Sequence, residues 1–287
     1  MIVITSISDM QRESDRLRTA GKTIGFVPTM GYLHEGHLDL LRMAARHSDA
    51  VIMSIFVNPT QFGQGEDLAR YPRDFERDRS LAEEAGCDVI FAPEADAMYP
   101  PCDSTWVNVD QLDSAFEGAS RPTHFRGVTT VVTKLFHIVR PHIAVFGQKD
   151  AQQAAIIRKM TRDLHFGVDI RIAPIRREID GLAMSSRNTY LSEHERVEAL
   201  ALSRSLRIAE SLVAQGERRI DALFRAVEKE ICRSGSIQLD YIGIVDPDTF
   251  LPITGDIGQQ ALIAVAARVG TTRLIDNIIL GNEATPS

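Results

Sequence analysis

Two histidines three residues apart, His34 and His37, stand between two apolar runs of different period. Before them, Thr23-Ile24-Gly25-Phe26-Val27 reads as a short buried strand. After them, Leu38, Leu41 and Ala45 fall on one helical face, with Leu40 and Ala44 beside it. The stretch Thr29 to Leu38 is therefore a strand-to-helix turn carrying Gly31, Gly36 and both imidazoles. A helix N-terminus presents unpaired N–H groups and a partial positive charge, which suits a phosphate. A spacing of three puts both rings on one side of the first turn. The chemistry to expect is recognition of a nucleotide phosphate, although a lone histidine at such a place would more often cap a helix or fill a core.

Other groups have the chemistry to join that turn. Lys149 and Gln153 lie four apart at the start of a helix, on a face that Ile157, Met160 and Leu164 continue into the core. A buried face that opens with Lys and Gln needs partners, and a ligand phosphate and hydroxyl would serve. The plainer alternative is an exposed first turn with a snorkelling lysine. Met184-Ser185-Ser186-Arg187-Asn188 offers two hydroxyls and a guanidinium, apt donors to phosphate oxygens, unless it is an ordinary polar loop. Asn58 and Gln61 follow a strand's carboxyl end, where turn residues also occur. Asp74 and Asp78 share a helix face that is either solvated or lends one carboxylate to Mg²⁺, an ion that keeps several waters and bridges phosphates.

Two tempting motifs fail. Gly21-Lys22-Thr23 resembles the end of a P-loop, but Arg16 stands where the first glycine belongs, and a strand follows instead of preceding it. His34-Glu35-Gly36-His37 resembles a zinc-protease helix, but that motif needs its second histidine where Leu38 sits. Neither GxGxxG nor GxSxG occurs.

The elements that must position these residues follow from periodicity. Strands are expected at 2–4, 24–27, 50–57, 88–92, 143–146 and 168–172, with helices at 8–19 (Ser8 as cap), 37–47, 73–85, 128–139 and 149–165. A short strand is expected near 105–109 within an irregular stretch, and 60–70 reads as an exposed, mobile loop. Strand and helix alternate, so the first half should be a parallel sheet with helices on both faces. Ligands bind at the carboxyl ends of such strands, so the loops after 24–27, 51–57 and 143–146 should converge. Two long helices, 192–214 and 219–233, then precede strands 239–245, 262–267 and 274–280, the last two joined through Gly270. This predicts an α/β domain at 1–175 and a smaller α+β domain at 176–287.

Composition narrows the class. With 287 residues, a net charge of −7 and 25% charged residues, the chain lacks the basic surface of a nucleic-acid binder. The three cysteines, Cys87, Cys102 and Cys232, are scattered, without CxxC, which fits a reducing compartment and no zinc framework. No signal peptide or membrane span is legible, so no membrane partner and a cytoplasmic setting are expected.

Taken together, the blocks carry a resemblance. Pro28-Thr29-Met30-Gly31 with His34-Glu35-Gly36-His37 resembles the HxGH signature of the adenylyl-transferring nucleotide-binding superfamily. Met184 to Asn188 is similar to that superfamily's second signature, the KMSKS loop, without its lysine. Adding Val57-Asn58-Pro59-Thr60-Gln61-Phe62, Tyr71-Pro72-Arg73 and Phe146-Gly147-Gln148-Lys149-Asp150, the whole chain resembles the pantoate–β-alanine ligase family. The resemblance implies a Rossmann-like, HxGH nucleotidyltransferase-type domain, a C-terminal lid domain, Mg²⁺ and a homodimer. It assigns ATP to Met30, Gly31, Tyr32, Leu33, His34, Glu35, Gly36 and His37, to Gly147, Gln148, Lys149 and Asp150, to Arg176 through its backbone, and to Met184, Ser185, Ser186 and Arg187. Pantoate falls to Gln61 and Gln153 with Asn58 nearby, and β-alanine to Gln61. His37 stands at the proton-donor position, Asp78 near the metal, and Gln148 where many relatives carry Glu.

The reaction so implied makes pantoyl adenylate from pantoate and ATP, then pantothenate and AMP from the adenylate and β-alanine. His34, His37, Lys149, Ser185, Ser186 and Arg187 would supply the donors for its anionic first step. The loop near Gly63 and Gly65 and the C-terminal domain would close over the adenylate. A nucleotidyltransferase making a dinucleotide, a tRNA-charging enzyme and a non-catalytic nucleotide sensor are the competing readings.

Overall fold

The computed structural model describes residues 1–281. The first half alternates as β1 Ile2–Ile4, α1 Ile7–Thr19, β2 Ile24–Thr29, α2 Glu35–His47, β3 Ala50–Ile55, α3 Phe75–Glu84 and β4 Val89–Phe91. Two single-turn helices follow, α4 Ala95–Met98 and α5 Glu117–Ser120, then α6 His124–Val139, β5 Ile143–Gly147, α7 Ala151–Asp163 and β6 Asp169–Ala173. The six strands form one parallel sheet in the order β1-β4-β3-β2-β5-β6. From β2 the chain winds outward through β3 to β4, then returns to place β5 on the other side of β2. The strand order thus reverses between β2 and β5, and a ligand crevice opens at their carboxyl ends.

Both faces of the sheet are covered. Ile24, Phe26, Ile52 and Phe91 pack toward α1, α6 and α7, whereas Val27, Met53, Ile90 and Val145 pack toward α2 and α3. That two-sided burial is why these strands read as unbroken apolar runs.

Helix starts refine the sequence expectations. Ser6, not Ser8, caps α1, its Oγ accepting from the Asp9 amide at 3.4 Å. Asp74 caps α3 through the Arg77 amide at 3.2 Å, which gives this carboxylate a backbone partner. The expected strand near 105–109 does not form. Its backbone is held by helix α6 instead of a neighbouring strand: the Val107 amide donates to Thr130 Oγ1 at 3.0 Å, and Thr129 Oγ1 donates to the Val107 carbonyl at 2.6 Å.

The second half carries α8 Glu193–Ala214, α9 Ile220–Ile231, β7 Ile237–Val245, β8 Gln260–Val269 and β9 Thr272–Gly281. The strands form an antiparallel sheet in the order β7-β8-β9. Leu202, Leu223, Val227, Ile263 and Val265 make a core with α8 and α9. The opposite side reaches the first half, where Val245, Phe250, Leu262 and Ala264 join the core around α6, and Phe116 meets Tyr241 and Phe250 at centroid distances of 5.5 and 5.8 Å. No helix among the described residues is long and apolar enough to cross a membrane.

Candidate active site

The chain leaves β2 through Met30 to Leu33, and one buried carboxylate shapes this turn. Asp78 accepts from the Tyr32 amide at 2.6 Å and the Leu33 amide at 2.7 Å. Leu33 is sealed in the core, and Tyr32 lies under the Arg77 guanidinium. The next residue, His34, is the N-cap of α2.

The two imidazoles then face each other with centroids 4.1 Å apart. The His34 amide donates to His37 Nδ1 at 3.3 Å, so in the neutral ring His37 Nε2 carries the proton. Burial, then the Lys149 charge, lowers the pKa of His34 to about 4. Burial, then His34 and Lys149, hold His37 well below its ordinary 6.5. Both rings therefore enter the site as neutral hydrogen-bond donors, not cations. Gly36 makes their approach fit: a Cβ there would stand 3.0 Å from His34 Cε1 and Nδ1.

Across the crevice, β5 ends at Gly147 and turns through Gln148–Asp150 into α7. Lys149 is partly buried, its ammonium 3.6 Å from Asp150, and Gln153 follows one turn later. The third segment is a small hairpin pinned by a bridge between Arg177 and Ala183, which delivers Met184 to Arg187. Ser185 Oγ accepts from the Arg187 amide at 3.3 Å, and Ser186 Oγ donates to the Tyr32 carbonyl at 3.4 Å. The first contact shapes the hairpin and the second lays it against the histidine turn.

All three segments line one cavity of about 230 Å³. Met30, His34, Gly36, His37, Gly147, Lys149, Asp150, Arg176, Met184, Ser185, Ser186 and Arg187 are on its wall, with Asn58, Gln61 and Gln153. Its apolar floor comes from Phe56, Val128, Val131, Val132, Leu135 and Phe146. A larger cavity of about 680 Å³ adjoins it and shares Lys149, Gln153, Ser185 and Arg187.

Gln61 is fixed on every side. Asn58 Nδ2 donates to its Oε1 at 3.2 Å, and its Nε2 reaches Met30 Sδ at 3.1 Å. Its carbonyl receives Arg121 Nη2 at 3.3 Å and His124 Nδ1 at 3.0 Å. Helix α6 comes this close because residue 127 is glycine; a Cβ there would stand 2.5 Å from the Thr60 carbonyl oxygen.

A family model described as pantoate-beta-alanine ligase matches residues 2–279. The chain belongs to the pantoate–β-alanine ligase family. It is 54% identical to the pantothenate synthetase of Thermotoga petrophila over 281 residues, 98% of this chain and 100% of that one. The crystal structure of pantothenate synthetase from Thermus thermophilus matches with a TM-score of 0.92 at 45% identity, covering 97% of this chain and 99% of that one. Pantoate-beta-alanine ligase from Francisella tularensis, complexed with beta-gamma ATP and beta-alanine, matches with a TM-score of 0.80 at 31% identity over 97% of each chain.

For a pantoate–β-alanine ligase, an amide-forming enzyme, the expected residues divide into two groups. The cavity wall gathers those named above. Gly31, Tyr32, Leu33, Glu35, Gln148 and Asp78 do not line it. Glu35 pairs with Arg42 at 2.9 Å and Gln148 Nε2 turns to Asn277 Oδ1 at 3.2 Å, so both side chains of the ligase are engaged away from the cavity. Arg121, His124 and the α6 floor were not expected. The valines of α6 read as core from their spacing, and they are core that happens to face a cavity.

Proposed function

We propose that this ligase joins pantoate to β-alanine in two steps within the smaller cavity. A pantoate carboxylate oxygen attacks the α-phosphorus of ATP, and the bond to the bridging oxygen breaks, releasing pyrophosphate. The β-alanine nitrogen then attacks the acyl carbon, loses a proton, and AMP leaves. The observation that carries this reading is the meeting of Lys149, His34, His37 and the Ser185–Arg187 hairpin over an apolar floor marked by Gln61 and Gln153.

The division of labour follows from chemistry. Pantoate carries two methyl groups on one carbon, two hydroxyls and a carboxylate. Phe56, Val131, Val132 and Leu135 suit the methyls, and the neutral amides of Gln61 and Gln153 suit the hydroxyls. Gln61 also meets β-alanine. Two anions must approach each other in the first step, so fixed donors dominate its barrier. Lys149 supplies the mobile full charge. His34 and His37 supply N–H groups at the N-terminus of α2, where the helix dipole adds positive potential. His37, whose Nδ1 accepts the His34 amide, keeps its proton on Nε2 and can donate it in a hydrogen bond to the leaving pyrophosphate. Ser185, Ser186 and Arg187 close on the phosphates from the other half of the chain.

Magnesium is part of the expected chemistry, lowering the charge of the triphosphate when bound. The described residues include no cluster of three or more His, Cys, Asp or Glu side chains able to cage a metal, and both oxygens of Asp78 already accept amide hydrogens. Asp78 is thus better suited to shaping the turn than to metal binding, and no step is assigned to the ion. A homodimer in the cytoplasm completes the reading on family grounds; light scattering tests the first.

The deciding experiment omits β-alanine. With ATP and pantoate alone, pyrophosphate appears in a burst near one per site, and AMP follows only when β-alanine is added. A burst that requires β-alanine makes the reaction concerted and refutes the adenylate.

A further inference from the structure

Two neighbouring polar residues interrupt the apolar run of β9, and both are buried: Asp276 is 3% exposed and Asn277 2%. Successive strand side chains point to opposite sides, so the two can hold different segments. Asn277 Nδ2 donates to the Gln148 carbonyl at 2.9 Å and to the Lys149 carbonyl at 3.0 Å, while its Oδ1 accepts from Gln148 Nε2 at 3.2 Å. The turn it grips has no side-chain cap of its own, neither at Gly147 nor at Asp150. Asp276 accepts both ends of the Arg177 guanidinium, at 2.7 and 3.0 Å. Arg177 in turn donates to the Gly181 carbonyl at 3.2 Å, tying together the hairpin that presents Ser185 to Arg187. One strand of the C-terminal sheet therefore grips, through consecutive residues, the lysine turn and the hairpin that carries Arg187, two of the segments that bring charge to the cavity.

We propose that Asn277 is a positioning residue for the adenylation step, holding the turn that aims Lys149 while Asp276 holds the opposing hairpin. The inference rests on the role given above to Lys149. Asn277 lines the larger adjoining cavity but not the smaller one, and both hydrogens of its amide are spent on the Gln148 and Lys149 carbonyls, so it acts through the lysine turn. An amide suits the place for a geometric reason. Its two hydrogens meet two carbonyls and its oxygen meets a third group, so the turn is fixed in both direction and register. An aspartate of the same shape would set a carboxylate against two carbonyl oxygens and lose both donors.

A double-mutant cycle tests this. Pyrophosphate release is followed in single turnovers, with enzyme in excess over labelled ATP, so that rates lowered by about 1000-fold stay readable. The proteins are the wild type, Asn277→Asp, Asn277→Ser, Lys149→Ala and each Asn277 change combined with Lys149→Ala. A misaimed lysine costs about 10- to 100-fold in the adenylation rate. Asn277→Asp is expected to show that loss with the pantoate KM nearly unchanged, and Asn277→Ser, which keeps one hydroxyl donor, a smaller one. In the Lys149→Ala background neither change should slow the residual rate further. Asn277→Ser is uncharged and smaller, and decides the matter if Asn277→Asp does not fold. Equal losses in both backgrounds, or full rates in the folded single variants, overturn the inference. Lys149→Ala at the wild-type rate removes the reading of the site and the inference with it, whereas a slow Lys149→Ala in which the Asn277 effect persists undiminished removes the inference alone.

Discussion

Asp67 and Arg187 meet fork to fork, with Nε–Oδ2 and Nη2–Oδ1 both at 3.0 Å. The pair joins the loop after β3 to the hairpin that carries the serines. Burial, the largest single influence, works against the Asp67 charge, yet the Arg187 hydrogen bonds and charge, with smaller help from the backbone and Arg121, together keep the carboxyl below its ordinary range. A guanidinium so engaged must share or exchange its partner to meet a phosphate. Asp67→Asn should therefore free Arg187 and lower the KM for ATP severalfold in steady-state kinetics. A higher KM would mean that the pair persists in the complex and orders the loop.

Gly36 separates folding from catalysis. In the first turn of α2, alanine is the better helix former by about 0.5–1 kcal/mol. The new methyl would press on the His34 ring at 3.0 Å. Gly36→Ala is expected to keep or raise the thermal midpoint while slowing adenylation by about 10-fold or more. A slowed enzyme with a markedly lower midpoint would make the glycine structural only.

Gln153 reaches the cavity from α7 one turn after the lysine. Losing one neutral hydrogen bond to a pantoate hydroxyl should raise the pantoate KM by up to about tenfold in Gln153→Ala. The ATP KM should change little. An equal rise in both would refute the assignment.

Three desolvated histidines set an acid limit on stability. Burial, then the neighbouring Arg121, lowers His124 to about 4; His34 also lies at about 4, and His37 well below 6.5. The unfolded chain takes up these protons near pH 6.5, whereas the folded chain takes up those of His34 and His124 only near 4 and that of His37 well below 6.5. Between those values the unfolded state binds more protons, so stability falls as the pH falls. Above about pH 6.5 these groups no longer contribute to the slope. Thermal midpoints of the ligand-free protein should decline from about pH 6.5 toward 4, and His124→Gln should flatten that decline. An unchanged slope in the variant would exclude this histidine as a cause.

Relations between near neighbours are legible along the chain before it folds. Strand and helix alternation follows from period, and the His34–His37 pair from a spacing of three on a helix. Lys149 with Gln153 follows from a spacing of four, and the order of the blocks carries the family. A one-dimensional pattern records such relations because a few bonds fix them.

The effects of distant segments on one another come only with packing. Burial, which no residue type announces, lowers the pKa of His34 and His37. The Thr129 and Thr130 hydroxyls hold residues 105–109 to α6 and leave no strand there. Arg121 and His124 hold the Gln61 carbonyl from 60 and 63 positions away. Asp78 is consumed by the Tyr32 and Leu33 amides, and Asn277 grips the lysine turn across 128 residues. Desolvation and hydrogen-bond direction are properties of the packed interior. They exist only after the sheet reverses its strand order between β2 and β5 and the C-terminal strands come to rest beside it.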